Sequence, residues 1–145
     1  MKIVLASDHA GYDMKEKIKK VLSREEHDIT DAGTASGAPA DYPDYAHPAA
    51  EMVAAGHVEY GILFCGSGNG VAMSANRHRK VRAALCWNKE TALLARKHNN
   101  ANVLCIPARF VDIAAATEIV TVFLITGFES GRHAIRVNKI DYPVQ

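Results

Sequence analysis

Apolar and polar residues fall in blocks along this chain, and the blocks switch between two periods. Lys2-Ile3-Val4-Leu5-Ala6 is a continuous apolar run, the pattern of a strand covered on both faces. After the polar Ser7-Asp8-His9-Ala10-Gly11, Met14, Ile18, Val21 and Leu22 recur at helical spacing. Lys15, Glu16, Lys19, Lys20 and Arg24 take the opposite face, and Ser7 or Asp8 is placed to cap that helix. A weakly apolar stretch over His27–Ala32, closed by Gly33, reads as a short edge strand. Gly37, Pro39 and Pro43 make 34–44 a loop. The next helix, about Pro43–Ala55, presents small residues (Ala46, Ala49, Ala50, Val53) and stops at Gly56.

The second half repeats the alternation. Tyr60–Cys65 is a strand, a glycine loop follows, and a helix is expected from Val71 to about Arg77. Val81–Cys86 is a strand, Glu90–Lys97 a helix, Asn102–Ile106 a strand closed by Pro107, and Val111–Thr126 a long apolar helix. The tail from Gly127 to Gln145 holds Gly131-Arg132-His133 and Arg136 in a further short helix. Strands alternating with helices predict one domain. The expected fold is a three-layer α/β/α, Rossmann-like sandwich on a five-stranded parallel sheet. Such sheets bind ligands outside the carboxyl ends of their strands. Asp8 and His9, Thr34 and Asp41, and Cys65–Gly70 all follow strands and belong to that edge. His98 and Asn99 end a helix and precede a strand, so topology alone does not place them there.

Cys65-Gly66-Ser67-Gly68-Asn69-Gly70 is the densest candidate for chemistry. Glycine is needed where φ is positive or where a ligand presses on main chain. Amides converging at a strand-to-helix junction suit an anion. A thiol at that rim is a base or nucleophile when such a field favours its thiolate; the plain alternative is a small buried cysteine beside a tight turn.

Composition narrows the function classes. With 48% hydrophobic and 23% charged residues in 145, the chain is an ordinary globular protein with a substantial core. A net charge of +1 provides no general field for nucleic acid or an acidic membrane, so any anion site is local. Three widely spaced cysteines (Cys65, Cys86, Cys105) without a CxxC pair point to a reducing compartment, not a disulfide framework or zinc knuckle. No secretory h-region or membrane span is read, and the cytoplasm is the expected location. The glycines run G-x-G-x-G, not G-x-G-x-x-G, and no Walker lysine follows them. The position of a cysteine-phosphatase arginine holds Val71, and no HExxH occurs. What remains is proton transfer next to a carbonyl of a small anionic substrate, the loop amides holding the enediolate oxygen. Arg132 and Arg136, four apart, can clamp a phosphate or form a solvated basic face. His98 suits an acid–base role near neutral pH, or equally a helix-end histidine paired with the dipole.

Ser7-Asp8-His9-Ala10-Gly11, Asp41-Tyr42-Pro43, Cys65 to Gly70, Ala75-Asn76-Arg77, Arg82-Ala83-Ala84, His98 to Leu104 and Gly131-Arg132-His133 occur in that order. The ordered set resembles the ribose-5-phosphate isomerase B family over about residues 2–140, with galactose-6-phosphate and allose-6-phosphate isomerases among its relatives. The resemblance implies interconversion of ribose 5-phosphate and ribulose 5-phosphate in the pentose phosphate pathway, without metal or organic cofactor. It makes Cys65 the base between the first two sugar carbons, activated by Ser67, and Gly66, Ser67, Gly68, Asn69 and Gly70 the cradle of a cis-enediolate. His98 with Asp8 would open the furanose ring, Asn99 would hold a hydroxyl, and His9, Arg109, Arg132 and Arg136 would hold phosphate.

The resemblance also implies a homodimer or tetramer with sites shared between subunits, the helix Val111–Thr126 and the tail 127–145 being candidate interface. Val71 stands where a second subgroup carries a glutamate base, so Cys65 marks the cysteine-base subgroup. Pro107-Ala108 replaces a usual glycine before Arg109, which predicts a shift of that arginine, and Asn100 replaces a common aspartate. The rival on other chemistry is a non-catalytic flavodoxin-like binding module.

Overall fold

The computed structural model describes residues 1–141. Its elements are β1 (Lys2–Ser7), α1 (Tyr12–Ser23), β2 (Asp28–Asp31), α2 (Tyr42–Ala54), β3 (Tyr60–Cys65) and α3 (Asn69–Ala75). There follow β4 (Ala83–Leu85), α4 (Lys89–Asn99), β5 (Val103–Pro107), α5 (Ile113–Ile125) and α6 (Arg132–Val137). All pairings are parallel, in the order β2-β1-β3-β5-β4. The weakly apolar second strand is at an edge, as its sequence predicts.

Alternation along each central strand sorts its side chains between two layers. Ile3, Leu5, Ile62, Phe64, Leu104 and Ile106 pack with Ile18 and Leu22 of α1, Ala92 and Ala95 of α4, and Ile119, Val120 and Phe123 of α5. Val4, Ala6, Leu63, Cys65, Val103 and Cys105 meet Ala46, Ala49, Ala50 and Val53 of α2 and Val71 and Ala75 of α3. The alanine stripe of α2 lets that helix sit close to the sheet. α5 turns Ile119, Val120, Phe123 and Leu124 into its own core and leaves Ile113 and Ile125 exposed at its two ends. Its outer groove is lined by smaller or polar groups such as Ala114, Thr117, Glu118 and Thr121.

Three local expectations change. Neither Ser7 nor Asp8 caps α1; its N-cap is Gly11, whose N–H donates to Asp8 Oδ1 at 3.0 Å. α3 begins at Asn69 rather than Val71, because Gly68 turns left-handed and the chain enters the helix at once. β4 keeps only the three residues paired to β5, Arg82 N–H going instead to Asn102 Oδ1 at 2.8 Å. On the outer edge of β4, Asn76 accepts from Ala83 N–H at 2.8 Å and donates to its carbonyl at 2.9 Å. Of the tail, 127–141 is described and includes α6; residues 142–145 lie outside the described part. No helix among the described residues is long and apolar enough to cross a membrane.

Candidate active site

The strand order makes β1 and β3 neighbours whose following segments leave in different directions, which opens a crevice at their carboxyl ends. A cleft of about 380 Å³ lies there, lined by Asp8, His9, Ala10, Tyr42, Cys65, Gly66, Ser67, Gly70, Arg109 and Phe110. Cys65 is the last residue of β3 and only 4% exposed, so its sulfur forms part of the cleft floor. Gly68 N–H donates to that sulfur at 3.1 Å. An amide N–H of the loop is thus aimed at the sulfur. Ser67 Oγ accepts from Asn69 N–H at 3.3 Å and stabilises the loop, so the sulfur's hydrogen bond comes from main chain instead.

The loop's glycines are required sterically. Gly68 has φ +76, and a Cβ there would lie 2.4 Å from Leu85 Cδ1. A Cβ on Gly70 would lie 2.7 Å from the Tyr42 ring, so the aromatic wall of the cleft rests directly on the loop. The other two cysteines have no such setting. Burial pushes the Cys86 thiol up to about 11 and the fully buried Cys105 well above its ordinary range, so both keep their protons at neutral pH.

Arg109 remains on the cleft despite Pro107-Ala108. Ala108 N–H donates to Cys65 O at 2.9 Å and Arg109 N–H to Gly66 O at 3.1 Å. These bonds fold the segment back over the loop and set the guanidinium against Gly66, where an added Cβ would meet Nη1 at 3.0 Å. His9 stands at the rim, its Nδ1 3.1 Å from Ala40 O and 3.2 Å from Ala40 N. Asp8 is buried, with Oδ1 occupied by Gly11 N–H. Tyr42 and Phe110 are wall residues that sequence reasoning did not single out. The signal was the adjacency of Tyr42 to Asp41 and Pro43, and of Phe110 to Arg109.

The remaining candidates are elsewhere. His98 and Asn99 close α4 just before the amino end of β5, whereas Cys65 pairs with Pro107 at its carboxyl end. The length of β5, about 13 Å at 3.3 Å per residue, separates the two edges. Asn99 lines a second hollow with Asn76, Arg82, Ala83, Ala84, Ala101 and Ile140. Arg132 and Arg136 are exposed on α6, which packs against α4. Within one chain the candidate residues therefore form two groups on opposite edges of the sheet. Large exposed apolar side chains accompany both: Tyr42 and Phe110 at the first, Ile135 and Ile140 at the second.

Comparison with known proteins fits this architecture. The ribose/galactose isomerase family matches residues 3–140. A probable ribose-5-phosphate isomerase B of Mycoplasma pneumoniae is 44% identical, over 95% of this chain and 91% of its own. The solved ribose 5-phosphate isomerase of Thermotoga maritima is 46% identical and covers 97% of both chains, with a TM-score of 0.95. The Mycoplasma genitalium ribose-5-phosphate isomerase B, solved with bound ribulose-5-phosphate, is 43% identical over 96% of this chain and 93% of its own, TM-score 0.92. A match over nearly the whole chain, on the same parallel sheet, places this protein in the ribose/galactose isomerase family, as an isomerase of the ribose-5-phosphate isomerase B type.

Proposed function

We propose that the protein interconverts ribose 5-phosphate and ribulose 5-phosphate through a cis-enediolate, with Cys65 as the base. The observation that carries this reading is the Cys65 sulfur at the cleft floor, held by Gly68 N–H, with Arg109 and His9 at the same mouth. A thiolate here removes the proton from C2 of the open-chain aldose and returns it to C1, while the hydroxyl proton passes from O2 to O1. In the loop Gly66, Ser67, Gly68, Asn69 and Gly70, the amides not already given to the Cys65 sulfur (Gly68) or to Ser67 Oγ (Asn69) stabilise the developing oxyanion, a donor of this kind being worth about 3 kcal/mol. Ser67, on the cleft wall, accepts or donates to a sugar hydroxyl. Arg109 and His9 supply part of the phosphate site.

Opening of the furanose precedes this chemistry. The C1–O4 bond breaks, O4 receives a proton from His98, and the anomeric hydroxyl gives its proton to Asp8. Since His98, Asn99, Arg132 and Arg136 lie on the far edge of their own chain, they serve the cleft of a second copy. The site is completed across a homodimer, or a dimer within a tetramer, and the apolar side chains around both edges support that arrangement. The reaction belongs in the cytoplasm, whose reducing conditions keep Cys65 a free thiol.

The deciding measurement is kcat/KM for ribose 5-phosphate against allose 6-phosphate and galactose 6-phosphate. The pentose phosphate is expected to be preferred. A hexose phosphate as the better substrate would transfer the assignment to that branch of the same family.

A further inference from the structure

Glu129 and His133, which gather around His98, have no part in this mechanism. Glu129 N–H donates to Lys97 O at 3.0 Å, and Lys97 Nζ meets Glu129 Oε1 at 3.1 Å, so the segment before α6 is tied to the last turn of α4. The second carboxylate oxygen, Oε2, lies 3.8 Å from His98 Nε2 and 3.9 Å from His133 Nε2. The two imidazoles stack face to face, centroids 4.1 Å apart and planes within 8°. His133 is the inner ring, its side chain 13% exposed against 37% for His98.

These three side chains bring ligand atoms within 4.8 Å of one another. The parallel rings nonetheless aim their in-plane lone pairs side by side, not at a common point, and Arg132 and Arg136 follow on the same short helix. The geometry is therefore poor for a cation and good for holding one ring flat on another.

We propose that His133, together with Glu129, is the positioning residue for His98, fixing its imidazole so that it meets the ring oxygen of a closed sugar. The inference rests on the assignment of His98 as the ring-opening acid. A histidine on the last turn of a helix, with one face in solvent, has a broad terminal torsion. A stacked partner removes that freedom, and catalysis by a proton donor depends on such placement. The charged groups facing the pair are Lys97 from α4, Glu129 from the connecting segment, and Arg132 and Arg136 from α6. Desolvation first, and then the neighbouring His98 and Arg132, hold His133 below the ordinary imidazole range. His133 is thus the ring that stays neutral, a flat support and not a second acid.

The test separates ring opening from proton transfer. Ribose 5-phosphate closes through O4 onto C1. Ribulose 5-phosphate has its O5 esterified and cannot close a furanose, so deuterium entering its C1 from D2O reports the Cys65 step alone. His133→Ala is expected to slow conversion of ribose 5-phosphate on the order of 10²-fold, the loss typical of misplacing a catalytic group by an ångström. Deuterium exchange into ribulose 5-phosphate and inhibition by inorganic phosphate should stay at wild-type levels. His133→Phe, which keeps the stacked ring, should recover most of the conversion, and it also serves if the alanine variant folds poorly. Unchanged conversion in His133→Ala overturns the proposal, and so does a parallel fall of conversion and exchange. His98→Asn is the reference: if it converts ribose 5-phosphate normally, the ring-opening assignment itself is wrong. If it fails while His133→Ala is unimpaired, only the positioning role is lost.

Discussion

Replacing Cys65 by serine changes one atom at the cleft floor and isolates the proposed base from the fold that carries it. The sulfur is nearly buried and accepts one hydrogen bond, from Gly68 N–H. A serine oxygen can accept the same bond, so the stability change is expected to be below about 1 kcal/mol, close to the net worth of one such bond. Cys65→Ala would leave the Gly68 amide unpaired at a buried position, at about 1–3 kcal/mol. The catalytic effect is far larger. A hydroxyl is not a base at neutral pH, and a positioned general base contributes roughly 10²- to 10⁴-fold. At 1.36 kcal/mol per decade this is about 3–5 kcal/mol of barrier. We therefore expect kcat for Cys65→Ser to fall about 10³-fold with KM little changed, because the phosphate contacts are intact. The assay follows ketose formation from ribose 5-phosphate together with deuterium exchange at C1 of ribulose 5-phosphate, and both should fall alike. Turnover within about tenfold of wild type, below the smallest effect expected for a lost base, would refute the reasoning.

Other expectations follow from the same geometry. Mixing inactive Cys65→Ser with inactive His98→Asn subunits should restore about a quarter of wild-type activity after exchange, since half the dimers are mixed and each holds one intact site; no recovery would refute the shared site. Gly70→Ala drives a Cβ to 2.7 Å from the Tyr42 ring; the ring must move, and activity on ribose 5-phosphate should drop about tenfold or more while the far edge is unaffected. Activity equal to wild type would show that the Tyr42 wall is dispensable. Asp31→Asn removes the main counter-charge of Lys15, whose side chain is fully buried and bonds Asp31 at 2.8 Å and Glu16 at 2.8 Å. With Glu16 left as partner, denaturant unfolding should show a loss of about 2–3 kcal/mol, somewhat under that for a wholly unpaired buried ion. Burial alone would raise the Asp31 carboxyl, but Lys15 and Lys19 bring it below its ordinary range. Its contribution is thus complete above the unfolded carboxylate range and drains as pH falls through the lower folded value. The wild type should therefore lose stability on acidification below that range, and Asp31→Asn should lose less over the same interval. Parallel acid limbs would place the titration elsewhere.

Much of the fold is legible in the chain for an identifiable reason. Strands buried on both faces announce themselves as unbroken apolar runs, and Ile3–Leu5 and Ile62–Phe64 do so here. Three glycines between such a strand and a helix can serve few purposes, so Cys65 and its loop stand out. The ends of elements are less readable. Gly68 with a positive φ begins α3 two residues before its apolar pattern does, and Asn76 covers the outer edge of β4 at Ala83 with side-chain bonds. Asp8 has the look of a helix cap, yet its oxygen takes the Gly11 amide at the mouth of the cleft.

The layered fold, the faces of its core and the identity of the loop beside Cys65 are all written in local pattern. They follow from periodicities of two and 3.6 and from glycine's lack of a Cβ, which are properties of short stretches. Nothing local says that His98, Asn99, Arg132 and Arg136 fall on the edge opposite Cys65, or that His133 and Glu129 gather around His98. Which residues share a site depends on strand order and on how α6 docks against α4. Those are long-range choices made by packing between segments far apart in the chain, and they exist only once it has folded.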